Sequence, residues 1–507
     1  MHLKRRFDKS LVIGTLASIA LLVPAMIVAI TGRNLPALAR RVDDGIYFVT
    51  AHSIATEFSY KISSLPGVPY QTKYPPAYPA LLAAAWKVPP YPNLPVALLL
   101  NWLALPVYAF ATIRLARIAG LSPAWTGVVA LGAVCGHETL WDSVTLMSDL
   151  WFSALILAAL VLIGRWRECE GYSGIYAAVI VTDLAYLTRT SGIVLPFAIC
   201  LVLVAGRRWR PALLFALGTL PVIAAWSWWA TAHTPASLPD YNDIFNLSYA
   251  GQLRAETNWR LLPARVYQKA IQGILSPATV LQPLFGHGAV TIGICTCVLT
   301  LCVAGYRRLI RMEVFQVAAA FVALYIALVL IWPWVLYPRL ILPVFPLLLI
   351  GLAVTLDRAH VPFVLPAFLF GAIYILSSVQ QIVFLSHAGD GAPVEAYAWV
   401  QTHTPADASF VADPDSLFWM HTGRAAETIH ASVREDQTPE SGRERLIDIP
   451  GFARKRKHEY VFFTGNFLDR SWSTVTRDQM RQRLESDPGV EAVYRRQALT
   501  IYRIRPQ

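Results

Sequence analysis

The chain alternates long apolar runs with short polar loops. The first run, 11–31, is about 20 residues, the length a bilayer crossing needs. Lys4, Arg5, Arg6 and Lys9 precede it. Ala37-Leu38-Ala39 has the form of a signal-peptide cleavage site, but the run exceeds the roughly 7–15 residues of a signal core. An uncleaved anchor is therefore expected. Further apolar runs at about 94–114, 121–140, 149–165, 172–188, 191–205, 212–230, 287–306, 314–333, 339–356 and 361–385 predict a polytopic α-helical membrane protein of about eleven transmembrane helices.

Three segments break this rhythm. The first is the polar loop 33–92, the second is 231–286, with a helical pattern at 259–274, and the third is 386–507. In the last, Val394–His403 and 478–486 read as helices. The stretches 409–412, 460–464, 492–494 and Leu499–Ile504 read as strands there. The expected architecture is a transmembrane domain over 1–385 followed by a small soluble α/β domain over 386–507. No solenoid repeat or low-complexity tract interrupts the chain.

Composition sharpens this picture. The 507 residues are 55% hydrophobic and 15% charged, with a mean hydropathy of +0.47. Soluble proteins carry closer to about 25% charged residues. The net charge of +11 is concentrated in alternate loops, at Arg114/Arg117, Arg165/Arg167, Arg207/Arg208/Arg210, Arg307/Arg308/Arg311 and Arg358. That distribution argues against nucleic acid as a partner and for a lipid bilayer. By the positive-inside rule the N-terminus is cytoplasmic, and the first loop and the C-terminal domain are extracytoplasmic. The six cysteines lie in or beside apolar runs, which fits core packing and no disulfide framework.

The candidate chemistry sits mostly in the first loop. Asp43 and Asp44 are adjacent carboxylates; burial and mutual repulsion would raise at least one pKa, as suits a general base. Vicinal acids also suit a divalent cation, and Asp is equally a favoured cap for a helix over 45–57. Lys73 precedes Tyr74-Pro75-Pro76, where proline stiffens the backbone. A helix over 77–86 would lay Ala80, Leu81, Ala84 and Ala85 on the bilayer and place Lys73 at its positive end, beside lipid phosphates. Snorkelling of Lys73 to the headgroups is the plainer reading.

Arg189 and Arg339 are basic residues in otherwise uncharged external loops. Both suit bidentate phosphate pairing or, more simply, interfacial anchoring. A second acidic group, Glu138, Asp142 and Asp149 with His137, can join Asp43 and Asp44 in a metal or sugar site, or be a solvated loop; its spacing is no metal signature. Asp183, inside a span, is expected to hydrogen-bond Thr182 or Asn101.

In combination these motifs resemble the polyprenyl-phosphate-dependent glycosyltransferases of the GT-C fold, in particular the protein O-mannosyltransferase and lipid A aminoarabinose transferase group. Asp43-Asp44-Gly45-Ile46-Tyr47, Lys73-Tyr74-Pro75-Pro76, Leu187-Thr188-Arg189-Thr190-Ser191-Gly192 and Arg339-Leu340-Ile341-Leu342-Pro343 carry the resemblance, which covers about residues 10–385. It implies an inverting transfer of a sugar from a polyprenyl-phosphate carrier to an acceptor hydroxyl on the outer face of the membrane. The acceptor would be a lipid or glycan rather than a protein. Asp43 would be the general base with Asp44 in support; Lys73, Arg189 and Arg339, with Tyr74, would bind the lipid phosphate. Thr72 stands where some relatives carry an acidic metal ligand, so a divalent cation is an open cofactor question. The rivals are a transporter or flippase of lipid-linked glycans, which would want midplane charges and repeated halves, and a non-catalytic scaffold.

Overall fold

The computed structural model describes residues 43–168, 173–234, 262–275, 289–332, 338–386, 393–429, 447–464, 476–496 and 499–505. The expected anchor at 11–31 and most of the loop 231–286 lie outside them. Apolar helices stand at the other ten expected spans. Four are long and apolar enough to cross a membrane: Leu94–Ile118, Asp149–Trp166, Trp209–His233 and Glu313–Ile331. The expected count of eleven crossings would also need the 11–31 run, which lies outside the described residues, and the six remaining apolar helices. The run expected at 121–140 divides in two. A Pro123–Val134 helix ends at Cys135, Gly136 turns the chain, and a separate His137–Ser143 helix follows.

Small residues set how closely the helices approach. Helix Ala289–Leu309 crosses helix Phe345–Arg358 at Gly305 and Gly351. A Cβ on Gly305 would run into the Gly351 carbonyl oxygen, and one on Gly351 would meet the Cys302 carbonyl oxygen at 2.7 Å. Thr355 Oγ1 ties the same crossing by donating to Leu301 O at 2.8 Å. Without a strong hydrophobic drive between helices in lipid, such close backbone contact supplies the packing energy.

The first loop is a folded body. Helix Asp43–Glu57 packs Tyr47, Phe48, Ala51 and Ala55 against Tyr74, Tyr78, Leu82 and Trp86. The Ala77–Ala83 helix runs on into a 3-10 turn, Ala84–Lys87. Its expected membrane face is only partly realised: Ala80 and Ala84 are exposed, whereas Ala85 is buried in this core. Trp86 Nε1 donates to Phe48 O at 2.9 Å, which locks the two helices together.

The C-terminal region forms a five-stranded mixed sheet. Strands β1 (Phe410–Ala412), β2 (Ala426–Glu427), β3 (Tyr460–Phe463), β4 (Val490–Arg496) and β5 (Leu499–Ile504) are ordered β2-β1-β3-β5-β4. β1 runs parallel to β2 and β3, while β5 is antiparallel to β3 and β4. Helix Val394–His403 falls where the pattern places it, and Arg477–Glu485 lies within a residue of expectation. The two-residue β2 and the helices Asp415–Thr422 and Ile449–Lys455 have no counterpart in the expected pattern. This sheet touches the first loop. Ala426 N donates to Ser64 O at 2.8 Å, and His52 packs edgewise against both Trp86 and Trp419, at 4.8 and 5.0 Å.

Candidate active site

Asp43 opens the Asp43–Glu57 helix, so its carboxylate sits at the positive end of the helix dipole. It is an engaged group rather than a solvated one. Tyr74 Oη donates to Asp43 Oδ1 at 2.5 Å, and Arg339 Nη2 lies 2.9 Å from Oδ2. Both side chains of that ion pair are largely desolvated, at 18% exposure for Asp43 and 10% for Arg339. Burial pushes the Asp43 carboxyl up. Arg339, Lys73, the Tyr74 hydroxyl and Arg189 together outweigh it and hold the group below its ordinary value of 3.8. Asp43 is thus not a raised member of the acidic pair, because three cations converge on it.

Asp44 is 1% exposed, and its Oδ1 accepts from Gly45 N at 2.9 Å. It faces into the protein, so neither acid belongs to a solvated loop. Lys73 is buried as well, with its ammonium over the Tyr74 ring at 5.0 Å from the centroid. Simple snorkelling to headgroups does not describe such a lysine. The helix following it is only seven residues long and starts four residues later, so its dipole does little to place Lys73.

Arg189 ends the Ser173–Thr188 helix and turns back to Asp149, which begins Asp149–Glu168. Nη1 and Oδ2 are 2.7 Å apart, and Nη1 is 3.4 Å from Ser148 Oγ. Ser148 in turn exchanges a 2.9 Å hydrogen bond with Tyr47 Oη, on the same helix as Asp43. The fields of Asp43, Asp149, Asp142 and Arg189 all reach Arg339. Segments remote in sequence therefore meet at one place: the start of the first-loop helix, Lys73-Tyr74, Asp142, Ser148-Asp149, Arg189 and the Pro338–Ile341 turn.

The second acidic group is divided by the fold. Asp142 and Asp149 are buried near this cluster, so the solvated-loop reading does not hold for them. His137 points elsewhere, with Nδ1 3.1 Å from Ser377 Oγ on helix Val364–Ser386. Glu138 lies on the same His137–Ser143 helix, half-buried. Among the described residues no group of three or more His, Cys, Asp or Glu side chains is arranged to hold a metal ion. Asp43 has both oxygens committed to Tyr74 and Arg339. No step of the reaction below is routed through a divalent cation.

Two positions differ from expectation or were not foreseen. Asp183 Oδ1 and Thr182 Oγ1 have no hydrogen-bond partner among the described residues. Asn101 is engaged elsewhere: Nδ2 donates to Asp142 O and Thr145 O, and Oδ1 accepts from Tyr78 Oη at 3.0 Å. Asn101 thus braces the segment between Asp142 and Asp149. The signal available was a lone amide in an apolar run, which lipid does not tolerate unpartnered.

No family model and no curated protein matches the chain. Solved structures do match. ArnT from Cupriavidus metallidurans, bound to undecaprenyl phosphate, is 13% identical over 96% of this chain and 97% of its own, with a TM-score of 0.58. Its apo form gives 0.57 at the same identity and coverage. A mutant form of the arabinofuranosyltransferase AftD from Mycobacteria is 15% identical over all of this chain, with a TM-score of 0.54. The chain spans about two fifths of AftD, matching 42% of it. The chain has the GT-C fold of these membrane proteins, the fold that the first-loop motifs imply.

Proposed function

We propose that this protein is an inverting glycosyltransferase that moves a sugar from a polyprenyl-phosphate carrier to an acceptor hydroxyl at the outer membrane face. One observation carries the reading: a half-buried, ionised Asp43 ringed by Arg339, Lys73 and Arg189 at the meeting point of four distant segments. A carboxylate kept charged in a desolvated place suits proton capture. Three cations beside it suit a leaving phosphate, whose charge needs electrostatic support and no general acid. The related fold of ArnT, captured with undecaprenyl phosphate, supports a polyprenyl-linked donor.

The transfer balances in one displacement. The acceptor oxygen bonds to the anomeric carbon as the bond from that carbon to the phosphate oxygen breaks, which inverts the centre. The hydroxyl proton passes to Asp43, and the polyprenyl phosphate departs with the electron pair. Because the Asp43 carboxyl is held low, it is a weak base, and it takes the proton late, once the acceptor oxygen has become acidic by attack. The planar guanidinium fork of Arg339 matches a phosphate as well as a carboxylate. Asp149 fixes Arg189 in the same region while Lys73 supplies a compact charge. Glu138 has no role in this scheme, and the acceptor is a lipid or glycan.

The test uses purified protein in detergent and a panel of polyprenyl-phosphate sugars. Release of free polyprenyl phosphate is followed for wild type, Asp43→Asn and Lys73→Ala, with water as a poor acceptor. Release by wild type and its loss in both variants is the expected result. Absence of release from every donor, together with tight binding of an intact lipid-linked glycan, overturns the reading in favour of transport.

A further inference from the structure

Gln71 is buried two residues before Lys73, at 1% exposure. Its Oε1 accepts from Lys73 N at 3.0 Å and from Tyr74 N at 3.2 Å. The next two residues are Pro75 and Pro76, which have no N–H to donate. One amide oxygen therefore satisfies the last two backbone donors before a stretch with none. Buried backbone donors left unpaired are strongly disfavoured, so this side chain fixes the conformation of the Lys73-Tyr74 segment.

The rest of Gln71 ties that segment to the helix bearing Asp43. Nε2 donates to Thr50 Oγ1 at 3.4 Å, and Thr50 lies two helical turns beyond Asp43. The Gln71 backbone N–H donates to Tyr60 O at 2.9 Å, and Tyr60 Oη donates to Tyr74 O at 2.8 Å. Tyr74 is thus held at its N–H by Gln71 and at its carbonyl by Tyr60. Its hydroxyl is left aimed at Asp43.

We propose that Gln71 is a positioning residue for the transfer, setting the Tyr74 hydroxyl and the Lys73 ammonium against Asp43; the inference rests on the glycosyltransferase reading above. Gln71 itself touches no reacting atom. It acts through two backbone N–H groups, so what matters at this position is an acceptor oxygen of the right reach. Glutamate keeps that oxygen, methionine keeps the volume without it, and asparagine is one methylene too short.

The experiment measures kcat and KM for polyprenyl phosphate release, alongside thermal midpoints, for wild type, Gln71→Met, Gln71→Glu, Tyr74→Phe and the double variant Gln71→Met/Tyr74→Phe. Misplacement by about 1 Å can lower a rate on the order of a hundredfold. The expected result is a fall in kcat of roughly ten- to a hundredfold for Gln71→Met, with a smaller fall in Gln71→Glu. The two single losses should fall short of multiplying in the double variant, because they share the Tyr74 hydroxyl while Gln71 also sets Lys73. Should Gln71→Met fail to fold, Thr50→Val tests the same tether, with a smaller fall in kcat at unchanged midpoint expected. Activity of Gln71→Met equal to wild type, equal impairment of the Met and Glu variants, multiplying losses, or an unaffected kcat in Thr50→Val would each overturn the proposal. A wild type inactive on every donor overturns the transferase reading, and this proposal with it.

Discussion

Arg339→Met gives the sharpest test of how the site is held together. The Arg339–Asp43 pair is 2.9 Å long and joins residues nearly three hundred positions apart, with both side chains mostly out of water. An exposed pair would contribute about 0.2–1 kcal/mol. Removing one partner of a buried pair costs about 3–5 kcal/mol, because the other charge is left uncompensated. Asp43 keeps the Tyr74 hydroxyl and the fields of Lys73 and Arg189. The loss should therefore fall at the lower end, at about 3 kcal/mol. The pH dependence has a definite sign. In wild type the Asp43 carboxyl is depressed, so its stabilisation is present above the unfolded pKa and is lost as pH falls through the folded one. Arg339→Met moves the folded pKa upward, and that stabilisation shrinks at neutral pH. Denaturant titration in detergent at pH 7 would compare wild type, Arg339→Met, Asp43→Asn and the double variant. The double variant should be more stable than Arg339→Met alone, since the carboxylate left without its main counter-ion is gone. Arg339→Met as stable as wild type, or a double variant no better than Arg339→Met, would refute the reasoning.

Tyr74→Phe removes one hydrogen bond to a charged acceptor, a loss of about 1.5–3 kcal/mol. Polyprenyl phosphate release should slow by roughly ten- to a hundredfold, chiefly in kcat. Gly305→Val forces the Ala289–Leu309 and Phe345–Arg358 helices apart at their backbone contact, so the yield of folded protein in detergent should collapse, whereas Gly293→Ala, in open space, should leave it unchanged. Burial pushes the Asp415 carboxyl up to about 7, aided by the charge of Asp413 and opposed by the Ser416 N–H and the Thr428 hydroxyl. Its ionisation therefore destabilises the folded chain progressively between the unfolded and folded pKa values, and Asp415→Asn should stabilise the chain by up to about 4 kcal/mol above pH 7 with little effect near pH 4. Equal stability of Asp415→Asn and wild type at pH 8 would count against that assignment.

The fold was legible wherever one local signal sufficed. Apolar runs long enough for a bilayer placed the helices, and alternation placed β3 and β5 almost to the residue. What periodicity could not give was interruption and short pairing. Gly136 ends one helix and lets another start at His137 within a single apolar run. Strand β2 has two residues, too few for a period, and exists because Phe410 and Val411 pair with Ala426 and Glu427. The first loop is polar by composition, and its core of Tyr47, Phe48, Tyr78 and Trp86 comes from side chains that only converge in three dimensions.

The site shows the same division more sharply. Residue types pointed to Asp43, Lys73, Arg189 and Arg339, since ionisable groups beside a membrane need a reason to be there. Their pairing was not legible, because which acid neutralises which base is a property of the fold. That pairing decides the chemistry at Asp43: burial pushes the carboxyl up, and cations from three distant segments outweigh it and hold it low. It also pairs Asp149 with Arg189. In the proposed transfer, two cations already matched by carboxylates, with Lys73 beside them, would receive a phosphate without large excess positive charge. Such a site can release a polyprenyl phosphate after transfer as well as bind it, because the carboxylates compete with the phosphate for the same guanidinium groups. The ion pairs that hold the empty site together are thus the same contacts that would limit how tightly the product stays.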